Sequence, residues 1–155
     1  MSKFQQLLDA YGVSHKNKTN KLIHWICVPA IFFSIVGLIS VIPFPWNVSI
    51  IENISLNWAF IALALVLIYY VSLSISISIG MALFAFLCMF FCNHINTYDY
   101  PALIYVGIFA VSWVFQFVGH HIEGKKPSFL QDIQFLLIGP AWLMHFIFKK
   151  LHIPY

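Results

Sequence analysis

Apolar residues fill four long segments of this chain, and the polar residues gather at the segment ends. Leu22 to Ile42 contains no charged residue. As a helix it reaches about 31 Å, enough to cross the hydrocarbon core of a bilayer. Trp58 to Met89 is longer, and as one straight helix it would extend about 48 Å, too far for a single crossing. Alternating Ser72, Ser74, Ser76 and Ser78, followed by Gly80, form its weakest helical part. The pattern predicts a hairpin of two spans turning near 74–80. An isolated strand there would leave its backbone groups without partners in lipid. Pro101 opens the next helix, where its missing N–H is harmless. That helix runs roughly 34 Å to Glu123, and Gly124 and Pro127 mark its end. Phe129 to Phe148 is the last apolar segment, interrupted in its middle by Gly139-Pro140.

Residues 1–21 form a polar leader. Phe4, Leu7, Leu8 and Tyr11 recur at helical spacing, which predicts a short amphipathic helix over 3–11 lying on the membrane. Thr19 or Asn20 is the expected cap of the first span. Asn47 to Asn57 and Cys92 to Tyr100 are polar connections without lysine.

Composition turns this pattern into a membrane protein. The chain has 155 residues, 61% hydrophobic and 8% charged, against roughly 25% charged in a soluble domain. The expected fold class is all-α, a polytopic membrane helical bundle in a single domain. It has about four spans, near 22–42, 57–74, 78–92 and 101–123, plus a re-entrant or fifth segment at 129–148. The net charge is +3, from eight lysines, no arginine and five acidic residues. That is too little positive charge for a nucleic-acid partner. The lysines instead read as topology signals. With the N-terminus in the cytoplasm, the four leader lysines and Lys125-Lys126 all lie inside. A re-entrant last segment keeps Lys149 and Lys150 there too. Cys27, Cys88 and Cys92 lie in apolar runs and read as buried thiols. No cleavable signal peptide is expected.

This topology collects chemistry on one face. Gln116, His120 and Glu123 are spaced i, i+4, i+7 and form one helical stripe at the end of a span, with Gly119 leaving room beside it. Such a stripe at a membrane surface needs polar partners. Asn17, Asn20 and His24 share a face if the first span begins early. His15, His24, His120 and His121 all fall at the cytoplasmic end, and His94 falls across the membrane with Asp99. Histidine is the commonest metal ligand, and histidine with carboxylate and open positions suits non-haem iron. His120 and His121 point roughly 100° apart on a helix, although a helix end brings both within range of one site. There is no nucleophile elbow, phosphate loop or acid–base carboxylate pair. A metal-free membrane binding or scaffold protein remains an alternative. A small transporter is another, disfavoured because no charge lies mid-span.

Two motifs carry a family resemblance. The first is His15, Asn20, Leu22-Ile23-His24-Trp25 and Pro29. The second is Gln116-Phe117, Gly119-His120, Glu123-Gly124 and Lys126-Pro127, with the later Gly139-Pro140. Together they resemble the Mpo1-like family of small membrane proteins, once catalogued as a domain of unknown function, whose characterised yeast member is a 2-hydroxy fatty acid dioxygenase. The resemblance covers most of the chain. It implies iron(II)-dependent α-oxidation, in which a 2-hydroxy fatty acid and O2 give a fatty acid one carbon shorter. It makes His24, His120 and His15 the best ligand candidates, with His121 beside them. Glu123 is implied as ligand or as orienter of the ligands, and Asn20 and Gln116 as their supports. Lys21, Lys125 or Lys126 would steer the carboxylate. The implied partners are the 2-hydroxy fatty acid, O2 and membrane lipid. A bacterial inner membrane and an endoplasmic reticulum membrane both fit.

Overall fold

A computed structural model describes residues 3–46, 48–51, 54–124 and 136–154. Among these the elements in order are α1 (Lys3–Gly12), α2 (Lys18–Ser40), a small antiparallel ribbon of β1 (Ser49–Ile51) and β2 (Ile54–Ser55), α3 (Trp58–Leu73), α4 (Ile75–Ile95), α5 (Pro101–Glu123) and α6 (Ile138–Lys150). The fold is all-α apart from that ribbon. α2, α4 and α5 are each long and apolar enough to cross a membrane, while α3 is an apolar helix of 16 residues.

The caps show how sequence sets the ends. Asn17, not Thr19 or Asn20, caps α2: its side chain accepts from the backbone N–H groups of Thr19 and Asn20. α2 therefore starts at Lys18, and Asn20 and His24 stand on its first turns. Pro101 opens α5, and Gly124 ends it in the left-handed conformation at φ 71°. A residue without a side chain takes that conformation without strain.

The long 58–89 stretch divides at a single residue. Ser74 is extended, and its side chain caps α4, whose helix begins at Ile75. The turn expected over 74–80 is thus confined to Ser74, and 75–80 is regular helix. The serines are accommodated because Ser72 Oγ donates to the Tyr69 carbonyl at 2.6 Å and Ser78 Oγ to the Ile75 carbonyl at 2.7 Å. Each hydroxyl is satisfied inside its own helix.

α2 and α5 form the tightest pair, antiparallel and sealed by a glycine near each end. A Cβ on Gly37 would strike the Tyr105 ring, and one on Gly119 would strike Asn20 Oδ1. Small residues at such positions let membrane helices approach closely. At the end away from the histidines, polar groups tie three helices together. The Tyr105 hydroxyl donates to Asn96 Oδ1 at 2.9 Å, and Asn96 Nδ2 donates to Ser40 Oγ at 3.0 Å. Trp58 Nε1 donates to the Pro43 carbonyl at 3.1 Å, so α3 also starts at that end. Its far end reaches α6, where the Tyr70 hydroxyl donates to the Leu137 carbonyl. The helices therefore run up and down, and α2 begins where α5 ends. Outward residues such as Leu65, Ile68, Phe86, Leu103 and Val114 are exposed. Such a surface is suited to lipid contact.

α1 packs differently from expectation. Phe4, Leu8 and Tyr11 are buried in the protein core with Trp142 and Leu143 of α6. The apolar face read as a membrane anchor is covered by protein. α6 starts at Ile138, so Gly139 and Pro140 lie in its first turn. Lys125, Lys126 and the beginning of the 129–148 segment lie outside the described residues.

Candidate metal centre

Three segments far apart in sequence each deliver one histidine to the same place. His15 comes from the connection between α1 and α2, His24 from the second turn of α2, and His120 from the last turn of α5. All three are buried, at 4%, 1% and 4% exposure. One ligand atom from each lies within 4.8 Å of the others. The His24 ring stands edge-on to both partners, with centroids 4.2 Å from His15 and 5.1 Å from His120.

The backbone assigns the tautomers of two rings. His15 Nδ1 lies 2.7 Å from the Tyr11 carbonyl, and His24 Nδ1 lies 2.9 Å from the Asn20 carbonyl. A carbonyl only accepts, so each Nδ1 carries the proton and each Nε2 keeps its lone pair. This is the usual way a protein prepares an imidazole as a ligand. His24 Nε2 is buried and makes no well-formed hydrogen bond among the described residues, with the Gln116 side chain facing the ring. A buried acceptor of that kind is costly unless something occupies it. The donor set therefore fits a metal ion. Three imidazoles suit iron, zinc, copper or nickel, so the set does not by itself select among them.

Tyr11 stacks on His15 with ring centroids 4.2 Å apart and planes 10° apart, and Trp142 lies 5.4 Å from the same ring. Gln116, one turn before His120, is buried and its side chain faces His24. An open pocket of about 360 Å³ reaches His15 from the surface, with Lys16, Lys21, Trp142 and His145 on its walls. A smaller cavity of about 30 Å³ lies between Tyr11, Val28, Trp113, Gln116 and Gly139.

Over residues 1–151 the chain matches a protein family described as Mpo1-like, 2-hydroxy-palmitic acid dioxygenase Mpo1-like. The chain belongs to the Mpo1-like family. It is also 30% identical over 150 residues to 2-hydroxy-palmitic acid dioxygenase MPO1 of Saccharomyces cerevisiae, an alignment covering 95% of this chain and 81% of the yeast protein. No solved structure matches it.

In this Mpo1-like chain the structure brings together most of the residues singled out in the sequence. His15, His24 and His120 form the cluster, and Asn20, Gln116 and Glu123 stand against it or one turn away. Glu123 does not join the three donors. Its Oε1 accepts from the Lys16 backbone N–H, and its Oε2 from that of Asn17 and from Asn20 Nδ2. His121 is exposed on another side of α5 and lies outside the cluster. The reason is the helical step of roughly 100°, which the end of α5 does not undo because the helix stays regular through Glu123. His94 is exposed at the opposite end, edge-on to Tyr98. Tyr11 and Trp142 were not foreseen at the site. Tyr11 lay on a legible apolar stripe, whereas nothing local marks Trp142, which arrives because α6 packs on α1.

Proposed function

We propose that this Mpo1-like protein is an iron(II)-dependent dioxygenase that shortens 2-hydroxy fatty acids by one carbon. The observation that carries the reading is the buried His15–His24–His120 cluster, in a chain matched to that family along nearly its whole length. The stoichiometry is self-contained. A 2-hydroxy acid and O2 together hold the atoms of the shorter acid, CO2 and water, so no external reductant is needed. Iron(II), when bound, supplies the redox chemistry with O2 that imidazoles alone lack.

The chain's own residues do the rest. His15, His24 and His120 hold the ion, the first two oriented by backbone carbonyls. Three protein donors leave open positions at such a centre, and a 2-hydroxycarboxylate offers two oxygens on adjacent carbons. The carboxylate reaches His15 through the open pocket, past Lys16 and Lys21. The acyl tail lies among the apolar helices. Asn20, Gln116 and Glu123 position the donors, and His121 takes no part. The reading has this end of the bundle in the cytoplasm, the side that the leader lysines favour.

Metal analysis of detergent-purified protein, loaded anaerobically with iron(II), tests the reading. The wild type is expected to hold about one iron per chain and to shorten 2-hydroxypalmitate, while folded His24→Ala and His120→Ala variants lose both. A wild type that takes up no iron overturns the dioxygenase reading. A folded His24→Ala protein with full activity removes His24 from the ligand set.

A further inference from the structure

His15 is the one histidine of the cluster that no helix carries. A residue between two elements needs something else to hold it still: the Tyr11 carbonyl and ring hold the imidazole, and Glu123 holds the backbone that follows it. Glu123 Oε1 accepts from the Lys16 N–H at 2.8 Å, and Oε2 accepts from the Asn17 N–H at 2.9 Å. Oε2 also accepts from Asn20 Nδ2 at 3.0 Å, and Asn20 Nδ2 in turn donates to the Ser14 carbonyl at 3.2 Å. His15 is thus bracketed, by Ser14 before it and by Lys16 and Asn17 after it. Each Glu123 bond joins residues more than 100 positions apart, at separations of 107, 106 and 103.

The geometry of α5 makes the bracket specific. Glu123 stands one turn after Gly119 and His120, so one helix end supplies both a ligand and the latch. Gly119 leaves the space that the Asn20 side chain fills. A carboxylate suits the task because it only accepts, and here it faces N–H donors from three residues. An amide at 123 would turn an NH2 group toward one side of that set.

We propose that Glu123 is a positioning residue that sets His15 against His24 and His120, acting through the backbone of residues 14–17 and not as a ligand itself. The inference rests on the metal-centre reading of the three histidines. It assigns to the carboxylate a role in metal affinity that is exercised wholly through His15.

A double-mutant cycle read by metal binding tests it. The full-length proteins, stripped of metal in detergent, are titrated with cobalt(II) against a competing chelator, and the cobalt absorption bands report coordination. The set is wild type, Glu123→Gln, His15→Ala and the double variant. Glu123→Gln is expected to weaken binding roughly 10–100-fold, the range for groups that orient ligands. His15→Ala weakens it at least as much, and the double variant binds as His15→Ala does. If Glu123→Gln binds like the wild type, the inference falls while the metal centre stands. If the double variant loses the Glu123→Gln factor again, Glu123 acts independently of His15 and the inference also falls. A wild type that binds no cobalt overturns the metal-centre reading and this inference with it. Gly119→Ala, which displaces Asn20 from the other side, supplies a second cycle with His15→Ala should Glu123→Gln not fold. The same non-additivity is expected, and additivity again overturns the proposal.

Discussion

The smallest residues near the centre carry as much of the design as the histidines. A Cβ at Gly119 would meet Asn20 Oδ1, whereas a Cβ at Gly107 on the same helix would meet nothing within 4 Å. Gly119→Ala is therefore expected to cost about 1–3 kcal/mol through overpacking and to weaken metal binding as Asn20 shifts. Gly107→Ala is expected to leave both unchanged, or to raise stability slightly by helix propensity. Thermal melts and metal titrations of the two variants check this, and equal behaviour would show that the Gly119 contact is unimportant. Much at this scale was readable in advance. Gln116, His120 and Glu123 shared a stripe because helical spacing is a local property. The capping role of Asn17 was not readable, because Asn17, Thr19 and Asn20 are all competent caps and the three-dimensional contacts of Glu123 select where the helix starts.

Between elements, close approach and burial decide what the centre is made of. α2 and α5 meet through Gly37 and Tyr105 at the end away from the histidines. Gly37→Ala should push the pair apart there, lower the thermal midpoint by the equivalent of about 1–3 kcal/mol, and affect metal affinity less than Gly119→Ala does. Comparable metal losses in the two would mean that the helix pair moves as one rigid unit. α1 supports the site from the other side. Leu8 is 2% exposed and Tyr11 stacks on His15. Leu8→Ala should cost about 2–5 kcal/mol, free α1 from α6, and speed proteolysis near residues 13–17. Unchanged cleavage would show that α1 is held by other contacts. The amphipathic stripe of α1 was visible in the sequence, but its partner was not. A stripe of Phe, Leu and Tyr suits lipid or protein equally, and only the packing of α6 on α1 shows which covers it.

For the whole molecule, the up-and-down order places the residue 15–24 region and the 48–57 region at opposite ends. Single cysteines at Lys18 and Ser55, in a background with Cys27, Cys88 and Cys92 replaced, should be labelled by an impermeant reagent from opposite sides of a membrane. Labelling from one side would contradict the crossing of α2. In the orientation proposed from the lysines, the Lys18 cysteine is the one expected to be labelled from the cytoplasmic side. The apolar segments, their rough ends, the membrane class and the face bearing the histidines were all determined by the sequence alone. Hydropathy, length and charge act on each segment by itself, and lipid enforces helices wherever backbone polar groups leave water. The tertiary structure alone decided which histidines meet, that Glu123 accepts from the 16–17 backbone, and that Trp142 joins the site. Those outcomes depend on contacts between residues that sequence distance separates by roughly a hundred positions, or on packing of one helix on another. Helical periodicity orients a side chain on its own helix, but only packing of one helix on another determines what that side chain meets.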